Sequence, residues 1–445
     1  MSTHIIVFGM GYVGIPCAAL LADVEGFHVT GVQRRSERSG WKIDYLNSGK
    51  SPFKGKEPGL DELINKVVKR GTFNVTDDPS VCSTADFALI DVQTPTDGVH
   101  IPQYESLEEV SKHIGKHMGK GITVIVESTV APGTTENIVR PILEQESGMK
   151  AGKDFYLAFS FERVMPGKLL DYIINMPRVI GGIDKTSAEK AHWLYKHIVK
   201  KEISTTSSCV AAELAKTIEN SYRDVNIAFA NEMALVCESM GVNIFEIIKL
   251  INTRHDRHMH LPGAGVGGHC LPKDPWLLRY GVMKYGTYFR EPEFISLGRR
   301  INDHMPVHIV ELISDMFENH NLVFRESVIT ILGLAYLEDS DDLRNTPARR
   351  VVSLLRSRNA EIRLHDPYVD SFDSFSIEKD IWKALNRSDC AVLITKHSQY
   401  YEIDLQRLKE IMRTPIIIDG RNIFSQEKVM KIGISYRGIG KGINI

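Results

Sequence analysis

The first third of the chain alternates short apolar runs with longer amphipathic stretches. The first run is followed by glycines and then by a helical stretch over residues 15–23. The apolar, β-rich runs lie at residues 4–8, 27–32, 87–92, 123–127 and 155–159. Alternation of this kind is typical of parallel strands joined by crossover helices, so it predicts an α/β fold for this part of the chain.

A long helical stretch follows, from about Cys209 to Met240. Its length predicts a connector between two domains that also packs against a second subunit. Its apolar residues recur at helical spacing and predict a buried stripe along one side. That stripe comprises Leu214, Ile218, Val225, Phe229, Met233 and Val236.

Alternation of strand and helix resumes near Ser327, with a helix predicted over residues 347–357. The strands predicted here are 328–332, 361–365, 391–395 and 416–419. The chain therefore has the pattern of two doubly wound, Rossmann-like α/β domains joined by a long central helix and a helical middle domain. The boundaries that we predict for these domains are 1–200, 201–310 and 311–445.

Length, charge and cysteine usage narrow the class of protein. A chain of 445 residues is too long for a single core, and its net charge of −2 comes from interspersed acids and bases. The lack of a basic stripe argues against nucleic-acid binding, and no apolar run approaches the roughly 18 residues of a membrane span. The 6 cysteines are dispersed without a Cys-x-x-Cys pair, which favours reduced thiols over disulfides or zinc. We therefore expect a soluble, cytoplasmic protein.

A glycine-rich segment, Gly9-Met10-Gly11-Tyr12-Val13-Gly14, lies between the first predicted strand and the first helix. In such a turn the first glycine permits the tight bend, the second lets the backbone approach a pyrophosphate, and the third lets helix and strand pack closely. The start of the helix favours the anion. The alternative is an ordinary glycine-rich turn, but the position between strand and helix favours a dinucleotide site that includes Gly9, Gly11, Tyr12, Val13 and Gly14.

The end of the second predicted strand lacks the acid that usually binds the ribose hydroxyls of the cofactor. Nineteen residues after Gly14 the chain has Gln33, followed by Arg34 and Arg35. A glutamine can hydrogen-bond a ribose, and arginines can accept a 2′-phosphate, so the pattern leaves the choice between NAD and NADP open. Arg38 adds to this basic cluster, although a solvated basic turn is an equal alternative for Arg35 and Arg38.

The segment from Arg254 to Pro275 contains the strongest candidate nucleophile. Its glycines, which include Gly263 and Gly267, lead to Cys270 and let the backbone pass close to a ligand. A thiol attacks an aldehyde well only as the thiolate, and His269 and Lys273 are near enough in sequence to influence it. A lone cysteine is more often a small buried hydrophobe, but the flanking glycines favour a nucleophile here.

The same segment holds four histidines within sixteen residues, at 255, 258, 260 and 269. The pair His258-x-His260 could chelate a metal on an extended segment. However, no cysteine or carboxylate completes a recognised ligand spacing. We therefore predict no metal site and assign these histidines to ligand-facing or structural roles.

Several motifs in a fixed order resemble those of the nucleotide-sugar dehydrogenases, which oxidise UDP-glucose, GDP-mannose or UDP-N-acetylhexosamines at C6. The resemblance covers nearly the whole chain. The motifs are Gly9–Gly14, Thr94-Pro95-Thr96, Glu127-Ser128-Thr129-Val130, Glu162-Arg163, Lys216–Asn220, Gly267–Asp274, Asp341-Asp342-Leu343-Arg344 and Asp419-Gly420-Arg421. Chance agreement in this whole order is very improbable.

The resemblance implies two successive oxidations with two NAD⁺ and no metal. It implies that Cys270 captures the aldehyde as a thiohemiacetal, that a second hydride transfer yields a thioester, and that water releases the acid. Lys216 and Asn220 are similar to a family pair on the central helix. Their i,i+4 spacing places both on one face, where they could hold an oxygen whose charge develops during the reaction.

Further roles follow from the resemblance alone. Asp274 resembles the carboxylate that partners the lysine, and Glu162 with Thr129 resembles the pair that positions the hydrolytic water. Thr94, Thr129 and Arg344 resemble residues of the cofactor site. The residues that resemble substrate contacts, besides Glu162, Lys216 and Asn220, are Arg163, Arg254, His255, Arg257, Gly267 and Arg421. The second α/β domain would then bind the UDP portion, and a homodimer or higher homo-oligomer is expected.

The chain departs from the family pattern at three places. Phe159-Ser160-Phe161 replaces the usual Asn or Cys followed by Pro, Leu337 replaces a lysine that meets the sugar nucleotide, and Gln33 replaces the acid. The first two affect substrate geometry, and the third affects cofactor choice.

The sequence around the nucleophile bears on the sugar. Members that oxidise UDP-glucose or GDP-mannose usually carry Gly-Gly-Ser-Cys, whereas this chain has Gly267-Gly268-His269-Cys270. That form is similar to members acting on UDP-N-acetylmannosamine or UDP-N-acetylglucosamine, and we favour the former, with a uronic acid for polysaccharide biosynthesis as product. Alternatives are a UDP-glucose 6-dehydrogenase, a two-electron β-hydroxyacid-type dehydrogenase that needs no cysteine, and a non-catalytic binding regulator.

Overall fold

In a computed structural model of the protein, residues 2–37, 39–53 and 57–442 are described, so Arg38 lies outside the described residues. The chain divides into two compact units. The first unit comprises Met1–Glu219 and Trp276–Glu291, and the second comprises Asn220–Pro275 and Pro292–Ile445. Residues of the predicted helical middle domain are thus shared between the two units, and the three-domain boundaries stay a proposal.

The first unit is built on a sheet that has eight strands within the described residues. They are β1 Thr3–Phe8, β2 Phe27–Val32, β3 Phe73–Thr76, β4 Phe87–Ile90, β5 Thr123–Val126, β6 Tyr156–Phe159, β7 Arg178–Gly182 and β8 Ile203–Thr206. Their order is β3-β2-β1-β4-β5-β6-β7-β8, and only the β6–β7 pair is antiparallel among these neighbours. The order reverses between β1 and β4, and in open α/β sheets that is where ligands bind.

Helices cover both faces of this sheet because successive strand residues point to opposite sides. Ile5 and Val7 of β1 join a core with α1, whereas Ile6 and Phe8 join a second core with α4 and α5. The helices are α1 Gly14–Asp23, α2 Trp41–Asn47, α3 Leu60–Arg70, α4 Glu105–His117, α5 Arg140–Ser147, α6 Leu169–Asn175 and α7 Lys185–Tyr195.

The predicted central helix is confirmed, but only half of the predicted stripe on it is covered. The middle helices are α8 Cys209–Ser239, α9 Ile244–Ile251, α10 Asp274–Tyr285 and α11 Glu293–Asn319. Ile218, Phe229 and Val236 of α8 are about half exposed, whereas Ala228 and Ala234 are buried. A Cβ on Gly298 of α11 would lie 3.5 Å from the Cβ of Ala228, so small residues set the close approach of α8 and α11. Ile218, Phe229 and Val236 consequently face outward, whereas Val225 and Met233 of the predicted stripe pack against the protein.

The second unit contains a parallel sheet with six strands in the described part of the chain. They are β9 Val328–Leu332, β10 Glu361–His365, β11 Ile377–Glu378, β12 Cys390–Leu393, β13 Ile416–Asp419 and β14 Ser435–Gly438, in the order β11-β10-β9-β12-β13-β14. The helices that follow are α12 Pro347–Ser357, α13 Ile381–Leu385, α14 Leu405–Ile411 and α15 Gln426–Ile432. Two doubly wound sheets with a helical middle confirm the predicted fold class. Among the described helices, none is both long enough and apolar enough to cross a membrane.

Candidate active site

The glycine turn Gly9–Gly14 connects β1 to α1, as predicted. Gly9 has a φ of 103°, and a Cβ atom there would lie 2.4 Å from the carbonyl oxygen of Asp91. A Cβ on Gly14 would lie 2.0 Å from the carbonyl oxygen of Gly9, so neither position accepts a side chain. A Cβ on Gly11 would meet no described atom within 4 Å. The backbone at Gly11 is open at the start of α1, and the turn therefore fits a bound pyrophosphate.

Other predicted cofactor residues lie around this turn. The Tyr12 ring stacks on Phe53 with centroids 4.4 Å apart, and the carbonyl of Val13 accepts a hydrogen bond from the Cys17 amide at 3.1 Å. Thr94 is buried, and its hydroxyl donates to the carbonyl oxygen of Thr129 at 2.6 Å. That bond joins the loops that follow β4 and β5 at the carboxyl edge of the sheet.

Asp91, which follows β4, places a carboxyl group beneath the glycine turn. Its Cβ would lie 3.3 Å from a Cβ on Gly14, and within the described residues neither carboxyl oxygen has a hydrogen-bond partner. Burial raises the pKa of Asp91 well above its usual range, although the charge of Arg178 opposes this. Arg178 donates instead to Glu127 and to the Ser160 hydroxyl, and both interactions are buried. Burial therefore favours the neutral form of the Asp91 carboxyl group, a feature that the sequence did not reveal.

Lys216 lies on α8 with a side chain only 5% exposed, so it is not a solvated surface lysine. Its Nζ donates to the backbone carbonyl oxygen of Glu162 at 2.7 Å and lies 5.2 Å from the centre of the Phe161 ring. The Glu162 carboxylate accepts a hydrogen bond from the Val164 amide. The structure thus brings together two predicted catalytic residues, Lys216 and Glu162, within the first unit.

Arg163 was predicted to contact substrate, and the structure places it in an ion pair within the protein. Its Nε lies 2.9 Å from Oε2 of Glu219, and its Nη2 lies 2.6 Å from the same oxygen. Its Nη1 donates to the carbonyl oxygen of Pro177 at 2.6 Å. These contacts hold the segment after β6 against α8, so the role of Arg163 toward substrate stays a prediction.

Glu213, one turn before Lys216 on α8, holds the loop that follows β5. Its two carboxyl oxygens accept hydrogen bonds from the amides of Gly133 at 2.6 Å and Thr135 at 2.9 Å, and the side chain is fully buried. Burial raises the pKa of Glu213 to about 7, even though these amides favour the ionised form. The loop so held carries Thr129, and sequence reasoning did not identify Glu213. Its only sequence signal is an acid within an otherwise apolar helix turn.

Cys270 is exposed, whereas the other cysteines of the chain are buried. Its carbonyl oxygen accepts hydrogen bonds from the amides of Lys273 at 3.0 Å and Asp274 at 2.8 Å, which fixes a turn at the start of α10. Asp274 is buried, and its Oδ2 accepts a hydrogen bond from Asn220 at 2.6 Å. Lys273 Nζ lies 3.5 Å from Oδ1 of the same carboxylate. Within the second unit, the structure therefore brings three predicted catalytic residues, Cys270, Asn220 and Asp274, into one connected group.

His269 does not supply positive charge next to the thiol. Burial, together with the charges of Lys273 and Arg344, lowers the pKa of His269 to about 3. The imidazole is thus neutral at physiological pH and can act only as a hydrogen-bonding or packing group. Of the two neighbours that the sequence suggested, only Lys273 is a candidate for positive charge near Cys270.

The glycines before Cys270 pack against the loop that follows β9. A Cβ on Gly267 would lie 2.5 Å from the Cβ of Tyr336, and Gly268 has a φ of 91°. The Gly268 amide donates to the carbonyl oxygen of Arg344 at 2.8 Å, and Asn345 Nδ2 donates to the Gly268 carbonyl oxygen at 3.0 Å. The Arg344 guanidinium is bonded to Asp342, with Nε at 2.9 Å from Oδ1. The glycines are therefore needed for close packing, and Asn345 and Tyr336 are positioning residues that the sequence did not reveal.

Arg421 follows β13 and lies against the same glycine segment. Its Nε donates to the Ile394 carbonyl oxygen at 2.7 Å, and a Cβ on Gly263 would lie 2.3 Å from its Nη1. Burial lowers the pKa of Arg421 to about 10, so it remains a cation at neutral pH. The Gly263 amide donates to Asn231 Oδ1 at 2.9 Å. Arg421 thus contacts the loop that carries Cys270, and its contact with substrate stays a prediction.

The predicted substrate residues Arg254, His255 and Arg257 are exposed. Arg254 Nε and Arg257 Nη1 each lie 2.8 Å from the carboxylate of Asp256. Because all three side chains are exposed, this segment is accessible to a ligand or a partner. The rings of His258 and His260 pack edge to face at 5.2 Å. Among the residues described, no cluster of three or more His, Cys, Asp or Glu side chains is placed to hold a metal ion.

Comparison with known proteins places this arrangement in a family. The chain matches the UDP-glucose/GDP-mannose dehydrogenase family in its NAD binding domain at residues 3–199, its central domain at 210–304 and its UDP binding domain at 330–426. A UDP-N-acetyl-D-mannosamine dehydrogenase of Pyrococcus horikoshii is 39% identical over 441 residues, which is 99% of each chain. The chain belongs to the UDP-glucose/GDP-mannose dehydrogenase family. It is therefore an oxidoreductase, a nucleotide-sugar dehydrogenase with a nicotinamide dinucleotide as cofactor.

Solved structures of this family have the same fold. The NDP-N-acetyl-D-galactosaminuronic acid dehydrogenase from Methanosarcina mazei Go1 is 40% identical and matches with a TM-score of 0.89 over 99% of this chain and 95% of its own. The UDP-D-ManNAc dehydrogenase from Pyrococcus horikoshii is 38% identical and matches with a TM-score of 0.90 over 99% of both chains. The family resemblance inferred from the sequence motifs is thereby confirmed, and the UDP binding domain supports a UDP-sugar as substrate.

Proposed function

We propose that this enzyme oxidises the C6 hydroxyl of a UDP-N-acetylhexosamine to the carboxylate through a covalent intermediate on Cys270, with UDP-N-acetylmannosamine as the first choice of substrate and NAD⁺ as oxidant. The observation that carries the proposal is the exposed thiol of Cys270 at the end of a closely packed glycine segment. The turn that holds it continues into Asp274, which in turn binds Asn220. An exposed nucleophile on a fixed turn suits covalent capture of an aldehyde.

The proposed oxidation has two hydride-transfer steps. The Gly9–Gly14 turn would hold NAD⁺, which would supply the hydride acceptor for each of them. The C6 alcohol first loses a hydride and a proton and becomes an aldehyde. The Cys270 sulfur then bonds to C6 while the aldehyde oxygen gains the thiol proton, which gives a thiohemiacetal. Loss of a second hydride and proton gives a thioester, and water cleaves its C–S bond to yield the carboxylate, a proton and the restored thiol.

We assign the charged and polar residues to the groups that change charge in these steps. Lys216 and Asn220, four residues apart on α8, stabilise the oxygen on C6 as negative charge develops. Asp274, buried and bonded to Asn220, holds that amide in place. Glu162 with Thr129 holds the water for hydrolysis, since a general base has to lie within hydrogen-bond reach of it. The burial of Lys216 supports this assignment, because a desolvated cation interacts strongly with a developing anion.

The names of the relatives support an N-acetylated sugar. One relative from Pyrococcus horikoshii is named for UDP-N-acetyl-D-mannosamine, and one from Methanosarcina mazei for an N-acetyl-D-galactosaminuronic acid. Both sugars carry an acetamido group and differ in ring stereochemistry. We retain UDP-N-acetylmannosamine as the proposed substrate, because several relatives that match nearly the whole chain are named for this sugar.

We also propose that the enzyme works as a homodimer. Tyr222, Phe229 and Val236 are exposed and lie seven residues apart on α8. Residues at this spacing form one seam along a helix, the pattern by which a helix packs against a second helix. Exposed apolar seams of this kind mark protein interfaces, and a twofold axis would place the same seam on both partners.

The test is to incubate the full-length enzyme with NAD⁺ and a panel of UDP-N-acetylmannosamine, UDP-N-acetylglucosamine, UDP-N-acetylgalactosamine and UDP-glucose. Reduced cofactor is followed by absorbance, and the sugar product is identified by mass. We expect two reduced cofactors per sugar acid, with the fastest turnover on UDP-N-acetylmannosamine. One reduced cofactor per sugar with release of the aldehyde would contradict the covalent mechanism, and fastest turnover on UDP-glucose would contradict the sugar assignment.

A cysteine variant tests the nucleophile. Cys270→Ser is expected to lower acid production by at least about a thousandfold, because a serine hydroxyl does not form a thioester. Cys237→Ser on α8 serves as the thiol control and is expected to retain acid production. Undiminished acid production by Cys270→Ser would contradict a covalent role for this cysteine. Undiminished cofactor reduction with the aldehyde as product, in both the variant and the wild type, would favour the two-electron type of dehydrogenase instead.

A further inference from the structure

The segment that follows β2 departs from the usual arrangement for NAD. Gln33 stands where an acid usually binds the ribose, and its Oε1 accepts a hydrogen bond from the Met10 amide at 3.1 Å. Its Nε2 donates to the Ser39 hydroxyl at 3.1 Å and to the Arg34 carbonyl oxygen at 3.3 Å. The side chain is therefore locked between the glycine turn and the following segment, and it brings no negative charge to the end of the strand.

Hydroxyl groups lie next to this amide. The Ser36 and Ser39 hydroxyl oxygens are 2.9 Å apart, and the Ser39 amide donates to Ser36 Oγ at 3.3 Å. Both serines are half-buried, so their hydroxyls are held by the fold while remaining partly accessible. One of these hydroxyls donates to the other, so the second hydroxyl hydrogen is the donor that the pair can offer to an oxyanion.

Two arginines supply the charge. The Arg34 side chain is 71% exposed, and among the described residues its closest charged partner is Glu109 at 3.6 Å, with 51% of that side chain exposed. Arg35 is less available to a ligand, since it already forms an ion pair in which its Nε lies 2.9 Å from Asp77 Oδ2. An exposed ion pair at 3.6 Å is weak, so a bound phosphate can displace Glu109 from Arg34.

We propose that Arg34, Ser36 and Ser39 form a binding site for the 2′-phosphate of the cofactor, so that the enzyme accepts NADP⁺ as well as NAD⁺. The inference extends the proposed function, because it concerns the oxidant of the same reaction. In Rossmann domains an acid at this strand end binds the 2′-hydroxyl and repels a 2′-phosphate, whereas a nearby arginine accommodates the phosphate. Gln33 removes the repulsion, and the second lone pair of its Oε1 can still accept a hydrogen bond from a ribose hydroxyl. The hydride chemistry at the nicotinamide is unchanged.

Direct binding to the full-length enzyme tests the proposal without any sugar. NADP⁺ and NAD⁺ are titrated separately by calorimetry at one fixed salt concentration. We expect dissociation constants that agree within about tenfold, a difference that corresponds to one well-made polar contact at most. Binding of NADP⁺ more than about a hundredfold weaker than that of NAD⁺ would overturn the proposal.

Variants identify the residues responsible. Arg34→Ala is expected to weaken NADP⁺ by about tenfold or more and to leave NAD⁺ within about twofold, because only the phosphate uses the guanidinium. Gln33→Asp is expected to weaken NADP⁺ likewise by restoring the repelling charge. Arg325→Ala is the matched control, since Arg325 is 75% exposed and also pairs with one exposed glutamate. Equal weakening of both cofactors by Arg34→Ala would contradict a 2′-phosphate site.

The outcomes separate this inference from the proposed function. Tight binding of both cofactors without oxidation of any UDP-sugar would contradict the proposed function and support the 2′-phosphate site. Oxidation of a UDP-N-acetylhexosamine with NAD⁺ alone, together with poor binding of NADP⁺, would support the proposed function and contradict the 2′-phosphate site.

Discussion

The hydrogen bond between Asn220 and Asp274 joins two residues to which we assign catalytic roles. The Asp274 carboxylate is buried, and Asn220 donates to its Oδ2 at 2.6 Å. In the part of the chain that is described, Oδ1 has no hydrogen-bond partner, although Lys273 Nζ lies 3.5 Å away. If Asn220 is removed, the buried Oδ2 of Asp274 loses its hydrogen-bond donor. The free-energy cost of having taken that oxygen out of water is then not offset.

Asn220→Ala is therefore expected to lower the free energy of unfolding by about 1–3 kcal/mol, because it leaves a buried acceptor unsatisfied. It is also expected to lower kcat by about 10²-fold or more, the usual effect of removing one donor from a developing oxyanion. Urea unfolding and sugar-acid production measure the two effects. Asn226→Ala on the same helix is the control, since among the described residues Asn226 donates to the nearby Tyr222 carbonyl oxygen of its own helix. Equal effects of the two variants would argue against a special role for Asn220.

At the residue scale, the sequence identified side chains but not their partners. Cys270 stood out because glycines flank it, whereas Lys216 and Asp274 were singled out only by their resemblance to family motifs. The ion pair of Arg163 with Glu219 and the burial that neutralises His269 were not, because both depend on residues that the fold brings together. Asp91 is similar, since a carboxyl at a strand end looks like a ligand-binding acid until its burial is known.

At the scale of elements, Glu213 connects α8 to the loop that carries Thr129. Its two carboxyl oxygens accept hydrogen bonds from the backbone amides of Gly133 and Thr135. Burial raises the pKa of Glu213 to about 7. An acid whose pKa is raised in the folded protein takes up its proton more readily there than in the unfolded chain. Stability contributed by the neutral form is therefore lost as pH rises from the usual glutamate pKa toward 7.

Glu213→Gln removes this titration. As pH rises from 4.5 to 7, the wild-type free energy of unfolding is expected to fall by about 3 kcal/mol relative to that of the variant. Above pH 7 the difference between the two proteins is expected to stay constant. Urea unfolding across this pH range measures the difference. The variant amide also places an N–H group against a backbone donor, so turnover is expected to fall at every pH. A constant offset between the two proteins from pH 4.5 to pH 7 would show that Glu213 does not titrate there.

A second pH-dependent contact joins α8 to α11. His308 lies between Glu238 of α8 and Glu311 of α11, with nitrogen–oxygen distances of 3.0 Å and 3.2 Å. Burial alone would favour the neutral ring, but the hydrogen bonds and charges of these carboxylates raise the pKa of His308 above its ordinary value. Glu238 also accepts the Gly440 amide at 2.6 Å, so the contact extends to the C-terminal strand region.

His308 therefore contributes stability that is fully present below the ordinary histidine pKa of about 6.5 and is lost as pH rises through its higher folded value. His308→Gln is expected to flatten the decline of the unfolding free energy above pH 6.5. The comparison is made by urea unfolding at pH values from 6 to 9. His304→Gln is the control, because His304 is half exposed and lies 3.9 Å from Glu311. An unchanged slope in His308→Gln would exclude this histidine as the titrating group.

At the scale of the whole molecule, the exposed seam on α8 predicts self-association. Phe229 is 52% exposed at the centre of the seam formed with Tyr222 and Val236. Phe229→Glu would place a charge where a second copy packs, and a buried unpaired charge is strongly unfavourable. We expect this variant to sediment as a monomer while the wild type sediments as a dimer. Tyr401→Glu, at a site 57% exposed elsewhere, is expected to leave the dimer intact; a wild-type monomer would contradict the proposal.

The sequence by itself determined the order and type of the main elements. Strands β2, β9, β10 and β13 and helix α12 have the predicted bounds, because apolar periodicity and turn residues are properties of neighbouring residues. The short or polar strands β3, β7, β8, β11 and β14 were not predicted, since their few apolar positions give no local signal. The glycine turn and the Cys270 segment were recognised because close backbone approach requires glycine at those positions.

Tertiary structure alone decided which face of α8 is covered and which charges are paired. The small residues of α8 are buried because α11 approaches them closely, and no local spacing distinguishes that face from the apolar one left outside. The amides that donate hydrogen bonds to Glu213 lie 80 and 78 residues away from it in the sequence. Arg163 and Glu219, which form an ion pair, are 56 residues apart. Pairings over such separations arise only when the strands assemble, and they set the burial that fixes the charge of each group.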